Sequence, residues 1–410
     1  MSAGTATRPR SALRLLVTRD FGLFFWGRLI TVSGVHLHSV VAAIVVFGAT
    51  RSAVAVALVT VVQFAPQLAL APLAGAWADR GDVGRQIVAG RLVCAVGSGG
   101  LALWLWIADG IGGWGLAAVV VAASLATGLG LVVGGPAMQS VTPRLVGREE
   151  LPTAMVLNTA PMTVGRVAGP VVGAVLVLLG PALAFAAAAA GHLLFAGLMF
   201  AVRIPRDDGP REAGRTYSVV AAFRHVWRDR PLLLLLVVVT GLGFGAEPTI
   251  TLAPALAHDL GGGPGTVGAL TASFGAGAGL GIVVSSWIAR RVRHELVVVV
   301  GIGLLAAGVV GCAVAGSVAV AMTAIAVAGG GFIVASSSAS TLIQLRVPGY
   351  LRGRVMALWL MGFVGSRPPA ALVSGAVADA ASVAVAFLVV AALLVVVGVC
   401  YGSVTRPADP

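Results

Sequence analysis

The sequence predicts an all-α polytopic membrane protein: twelve transmembrane helices in two pseudo-symmetric six-helix bundles. Three observations carry this. Of 410 residues, 58% are hydrophobic and only 10% are charged, against about 25% charged in an ordinary globular domain. Apolar runs of roughly 20 residues follow one another, the length that crosses a bilayer as a helix. Finally, the longest polar break falls near the chain midpoint. Strands of a transmembrane barrel would alternate apolar and polar residues. Runs such as "LLLLLVVVTGLGFG" at 232–245 do not alternate, and lipid offers the backbone no hydrogen bonds outside helices or closed barrels.

Taken in order, residues 1–20 form a short basic leader on the cytoplasmic side. Six spans follow at about 21–48, 53–77, 86–108, 114–140, 151–178 and 181–203, making a bundle over 21–203. The first break holds Arg51, and the second holds "GAWADRGDVGRQ", Gly75 to Gln86, which sets both signs of charge between two oily spans. The linker 204–230 is next. Its Val219, Val220, Phe223, Val226 and Trp227 share a helical stripe flanked by Arg224, Arg228 and Arg230, the pattern of a short helix lying on the membrane surface. Six further spans at about 231–257, 265–289, 295–315, 317–345, 354–378 and 381–403 make a second bundle over 231–403, and 404–410 is a tail. The stretches "MQSVTPRLVGREELPTAMVLN" (138–158) and "IQLRVPGYLRGRVMALWLMGF" (343–363) align, with Gln139 and Gln344 205 residues apart, as are Pro143 and Pro348. Both lie where the fourth span of a half meets the fifth, as duplication of a six-helix unit predicts.

Arginine placement sets the orientation. The N-terminal side carries Arg8, Arg10, Arg14, Arg19, Arg80, Arg85, Arg144, Arg148, Arg290, Arg291, Arg293, Arg352 and Arg354, while the other side offers Arg51. The positive-inside rule assigns the arginine-rich side, with both termini, to the cytoplasm of a plasma or inner membrane. The net charge of +12 is then a topology signal and not a nucleic-acid footprint. All 27 basic residues are arginine. Without lysine there is no P-loop to drive transport with ATP and no Schiff-base chemistry. Cys94, Cys312 and Cys400 lie in apolar runs without metal-ligand spacing, and packing is their expected role. No enzyme, cofactor or metal site is expected. The expected partners are the bilayer, a small molecule and protons, acting on a monomer.

The loop "GAWADRGDVGR" resembles the signature between spans two and three of the major facilitator superfamily. With "GRLITVSG" (27–34), "TPRLVGREELPTAMVLN" (142–158), "GRVAGPVVGA" (165–174) and "VPGYLRGRVMALW" (347–359), the chain is most similar to the drug- and siderophore-exporting branch of that superfamily, over nearly its whole length. The resemblance implies a secondary transporter. It also implies a latch: Gly75, Asp79, Arg80 and Arg85 belong to the signature, and Asp79 would meet the dipole at the start of span eleven, with Arg352 and Arg354 as further partners. Gly165, Gly169, Pro170 and Gly173 form the span-five motif, which the resemblance associates with antiporters. Small residues four apart and a kinking proline show by themselves only close packing at a bend. The chain departs from the family at Val83 and Gly84, which thin the basic tail to Arg85, and at Val35 and Ala174.

A charge at mid-bilayer costs about 2.5–3.5 kcal/mol on insertion scales, so charges inside spans need reasons. Those singled out are Arg28, His36, His38, Arg166, His192, Glu247 and Arg367. Arg166 and Arg367 lie near mid-membrane in equivalent spans of the two halves. They form either a cationic pair facing a cavity for an acidic substrate or a structural ion pair. Glu247 is the leading proton-coupling candidate, against the alternative of an outer-half charge near water; Pro248 after it allows the helix to open. His36 and His38 fall on different faces, so at most one faces a cavity. Either is a proton relay or, with more weight, a packing histidine, and His192 is read as packing. For Arg28, snorkelling to the cytoplasm is favoured over substrate binding.

The expected function is secondary active, proton-coupled efflux of a small organic molecule such as a drug, siderophore or other natural product, by alternating access. An uptake permease of the same fold is the alternative. A membrane enzyme or receptor would need catalytic clusters or a soluble domain, and no HExxH, nucleophile elbow or long soluble segment occurs.

Overall fold

The computed structural model describes residues 11–70, 77, 82–108, 112–147, 149–158, 160–205, 219–288 and 291–405. The first half contributes α1 (Arg19–Thr50), α2 (Ala53–Ala69), α3 (Val83–Ile107), α4 (Gly113–Val141), α5 (Ala160–Leu179) and α6 (Pro181–Ala201). The linker helix α7 (Val219–Arg228) follows. Then come α8 (Arg230–Ala246), α9 (Pro264–Ile288), α10 (His294–Ala313), α11 (Val318–Arg346), α12 (Gly349–Gly365), α13 (Arg367–Ala380) and α14 (Val383–Thr405). Eleven helical segments among the described residues are long and apolar enough to cross a membrane, with α12 and α13 counted together. The shorter α2, an apolar helix of 17 residues, occupies the place of the second span.

Helix starts follow the local chemistry. Ser52 caps α2 by accepting from the Ala55 amide, Asp82 caps α3 by accepting from Arg85, and Asp229 caps α8 by accepting from Leu232. Each oxygen satisfies one of the orphan amides of a first turn. Asp82, half of the charge oddity in the polar loop, is therefore explained by capping.

Two expected spans are broken rather than continuous. The seventh ends its regular run at Ala246 and resumes as the short helices Pro248–Thr251 and Ala253–Asp259. The eleventh breaks between Gly365 and Arg367, with Pro368 and Pro369 opening α13. Proline lacks the amide that would continue the ladder and clashes with the preceding turn, so each break falls beside one.

Within the first half, α1 packs on α5 and α6, and α3 on α4 and α6; within the second, α11 packs on α9 and α10, and α14 on α10. Two seams join the halves, α2 against α13 and α5 against α9. Missing side chains permit both. A Cβ on Gly375 of α13 would stand 2.7 Å from the Ala53 carbonyl oxygen of α2. A Cβ on Gly268 of α9 would collide with that of Ala174 on α5. The departure at Ala174 thus has a physical partner: the methyl group fills the space opposite a residue that has no side chain.

Candidate functional site

The two helix breaks meet. Arg367, first residue of α13, donates from Nε to Oε2 of Glu247 at 2.7 Å. The Thr251 hydroxyl donates to the other carboxylate oxygen at 3.1 Å. Glu247 is 2% exposed. The guanidinium of Arg367 also lies 3.8 Å from the ring centre of Phe64, which α2 supplies from the other half. A cation over an aromatic face gains about 0.5–2 kcal/mol, more as water is removed.

Arg166 of α5 takes a different position. Its guanidinium stands 4.6 Å from the ring centre of Phe274 and 5.3 Å from that of Phe332. Its Nε has no hydrogen-bond partner among the described residues. Arg166, Arg367, His36, Ser39, Thr271 and Phe274 all face one small cavity of about 20 Å³, enough for about one water molecule. Both arginines border the cavity, as the cationic reading expected, and Arg367 is also ion-paired, as the structural reading expected. Arg367 holds the carboxylate, and Arg166 rests on aromatics with donor capacity to spare. Glu247 is not an outer charge near water but a buried one with a partner.

The histidines separate as their spacing requires. His36 faces the cavity. His38 is fully buried, with Nδ1 2.9 Å from the Ser98 hydroxyl and Nε2 3.1 Å from that of Ser124. His192 is likewise buried, its Nδ1 2.6 Å from the Thr31 hydroxyl. His38 thus has hydroxyl partners at both ring nitrogens, whereas Nε2 of His192 has none among the described residues.

Arg28 corrects an expectation. It does not snorkel: it is 2% exposed, and its guanidinium donates to Asn158 Oδ1 and, at 3.4 Å, to Gln139 Oε1. Thr142 donates to the same Asn158 oxygen at 2.8 Å. The first and last residues of the stretch 142–158 are thus tied together at Arg28. Acceptors inside the protein remove the reason to reach for water.

Two charged residues escaped the sequence reading. Arg91 of α3 is 1% exposed and donates to Thr31 at 3.2 Å and to the Gly130 carbonyl at 3.5 Å. Its place eight residues inside the helix was the available signal. Asp379, near the end of α13, accepts from the Ser52 hydroxyl at 2.5 Å, the Ala53 amide at 2.7 Å and the Val54 amide at 3.1 Å. It caps α2 from the opposite half, at the end of the molecule remote from the linker. Arg51 Nη1 lies 3.0 Å from His258 Nδ1 at that same end. The lone acid near the end of span eleven was the visible clue.

Of the expected latch, Gly75, Asp79 and Arg80 lie outside the described residues, as does the side chain of Arg352. Arg354 is half-buried. Arg85 is exposed, with Nε 4.0 Å from Asp82 of its own helix start. In the span-five motif, a Cβ on Gly169 would stand 2.6 Å from the Ser33 carbonyl oxygen and 2.9 Å from the Leu37 amide. Gly165 approaches Val32 and Ser33 in the same way. The motif is where α5 presses on α1. Pro170 borders the cavity, and a Cβ on Gly173 would stand 3.3 Å from Val41 and 3.4 Å from Leu37, a milder crowding than at Gly169.

Known proteins share this build. An enterobactin exporter of Citrobacter koseri is 29% identical over 88% of this chain and 86% of its own length. A bacterial homologue of the human lysosomal transporter Spinster, in an inward-facing and unoccupied conformation, superposes with a TM-score of 0.75 at 14% identity, covering 95% of this chain and 96% of that one. A mutant form of the nucleoside transporter NupG gives a TM-score of 0.73 at 14% identity, over 96% of this chain and 100% of its own. The family described as transmembrane secretion effectors matches residues 11–408. The chain is a multi-pass membrane transporter of the major facilitator type and belongs to the transmembrane secretion effector family.

Proposed function

We propose that this protein exports a small, acidic or catecholate-like aromatic molecule in exchange for protons, by alternating access. The observation that carries the proposal is the Glu247–Arg367 pair beside a second arginine at one cavity. Glu247 is the coupling group. Taking up a proton there cancels the charge that holds Arg367 and lets the cavity rearrange; exchange requires that the rearranged, protonated form binds the substrate anion less well than the deprotonated one. Arg166, with its open Nε and two aromatic neighbours, is the second contact, suited to an anionic group on a flat ring. His36 lines the same space as a relay candidate. The similarity to an enterobactin exporter supports the outward direction and makes enterobactin the first substrate to try.

In this reading the moving units are 21–203 and 231–403, joined by 204–230. The arginine-rich side and both termini face the cytoplasm, and one chain suffices. Uptake into everted membrane vesicles tests it. Acidifying the vesicle interior should drive enterobactin inward in vesicles carrying the protein, and Glu247→Gln should abolish the pH dependence while the protein still reaches the membrane. Undiminished pH-driven uptake by Glu247→Gln sinks the coupling role. Accumulation of substrate by intact cells would instead identify a permease.

A further inference from the structure

A second charged site lies away from the cavity, where the linker enters the membrane part. In α7, Val226 is 2% exposed and packs into the core, which ties that face of the helix down. Phe223 and Trp227, one helical turn apart, are 53% and 64% exposed, and their rings stack at 5.8 Å. Arg224 and Arg228 beside them are exposed too. A soluble surface gains nothing from two stacked aromatics held outward, whereas the membrane interface favours this mixture of rings and arginines.

The end of α7 opens onto a groove of about 520 Å³, lined by His225, Arg228, Asp229, Arg230, Pro231 and Arg346. The one carboxylate among its described residues is already engaged: Asp229 accepts from Arg346 Nε at 2.7 and 2.9 Å and from the Leu232 amide at 3.2 Å. Arg346 is thereby neutralised, while Arg228 and Arg230 face the groove with no other carboxylate among the described residues of its lining. The level of the groove is set by α8, which begins at Arg230 and is apolar from Leu232 onward. A phosphate held there sits at headgroup depth, and chains attached to it run beside an apolar helix.

We propose that this groove binds the phosphate of an anionic phospholipid from the leaflet on the linker side, its acyl chains lying against Phe223 and Trp227. Arg228 and Arg230 bring two positive charges to a phosphate, and each basic residue near an anionic membrane surface strengthens attraction roughly fivefold. The site is separate from the central cavity, so its test does not depend on what is transported.

The test is thermal unfolding of the full-length protein in a neutral detergent, titrated with phosphatidylglycerol, phosphatidylcholine or inorganic phosphate. Phosphatidylglycerol should raise the melting temperature, and phosphatidylcholine and free phosphate should not. The Arg228→Gln, Arg230→Gln double variant should need roughly 30-fold more phosphatidylglycerol for the same shift. The double lysine variant, which keeps both charges, should stay within a few-fold of the parent and keeps the test open if the glutamine variant does not fold. Phe223→Ser with Trp227→Ser should weaken phosphatidylglycerol binding while preserving headgroup discrimination. A full response in the double glutamine variant, loss of response in the lysine variant, or an equal response to phosphatidylcholine or free phosphate overturns the proposal.

Discussion

Glu247→Gln, Arg367→Gln and the two together form a cycle whose outcome the geometry fixes in advance. Breaking a buried pair by removing one partner costs about 3–5 kcal/mol, because the other charge stays behind unpaired. The two single changes should not be equal. After Glu247→Gln, the Arg367 guanidinium keeps Phe64 at 3.8 Å, and its side chain is 16% exposed. Ring and solvent both soften the loss, placing it near the lower end, about 3 kcal/mol. After Arg367→Gln, Glu247 is 2% exposed and keeps only the Thr251 hydroxyl at 3.1 Å. That loss belongs at the upper end, about 5 kcal/mol. With both changed, two neutral amides can bond to each other and no charge is stranded. The double variant should therefore recover about 2–3 kcal/mol relative to additivity.

The assay is unfolding of the purified protein in one detergent at pH 7, with the four members compared side by side. An additive double variant, with coupling under about 0.5 kcal/mol, would refute the pairing as an energetic fact. Equal costs for the two single variants would refute the account of what remains around each charge.

Three further outcomes follow from the same structure. Gly169→Ala forces a methyl group to within 2.6 Å of the Ser33 carbonyl oxygen and should cost about 1–3 kcal/mol; Gly303→Ala, with nothing within 4 Å, should be neutral or gain up to about 1 kcal/mol. Equal melting temperatures for the two would show that the close approach of α5 to α1 is unimportant. Asp379→Ala removes the cap that α13 places on α2, worth about 1.5–3 kcal/mol for hydrogen bonds to a charged group. A cysteine at Val54 in an otherwise cysteine-free protein should then label at least tenfold more readily, and unchanged labelling would discount the seam. At Asp229, burial pushes the carboxyl pKa up, but the Arg346 hydrogen bond, the Leu232 amide and the charges of Arg346 and His225 outweigh it and hold it below the usual value. Its stabilising effect is thus present above the ordinary carboxylate range and lost as pH falls through the lowered value. The gap in melting temperature between parent and Asp229→Asn should stay level from about pH 5 to 8 and close only below about pH 4; a gap that closes near neutrality contradicts the sign.

Fold and site were legible to different depths. The spans could be read because lipid imposes a constraint on each one separately: length, apolarity and internally bonded backbone. A helix in the linker was legible for a similar local reason, and α7 forms there, but the expected stripe divides: Val226 packs into the core while Phe223 and Trp227 stay exposed. Partners were another matter. Internal symmetry suggested matching Arg166 with Arg367, since they occupy equivalent spans. Symmetry fixes depth, however, and not the side chain that fills the space between. Glu247 is 120 residues from Arg367 and reaches it because two helices break at adjoining prolines. Arg28 was misread because the distance to water can be judged from sequence, whereas the nearer acceptors, Asn158 and Gln139, are contributed by segments 130 and 111 residues away. Ala174 looked like a defect in its motif until Gly268 stood opposite.

The placement of α13 gives the site its mechanical meaning. Its first residue is Arg367, and its penultimate residue is Asp379. Twelve residues at 1.5 Å each separate the two by about 18 Å along one helix. Arg367 binds Glu247 within its own half and lies on Phe64 of α2 from the other half. Asp379 holds the beginning of that same α2. The seam between α2 and α13 is thus pinned at both ends by charged residues of a single short helix, and Gly375 between them allows the backbones to touch. Neutralising Glu247 frees Arg367 at one end of this seam. The other end stays capped until α13 shifts far enough to draw Asp379 off three donors. In the proposed cycle, charge release at the cavity would free one end of this seam and leave the other held by Asp379, so separating α2 from α13 would take both steps.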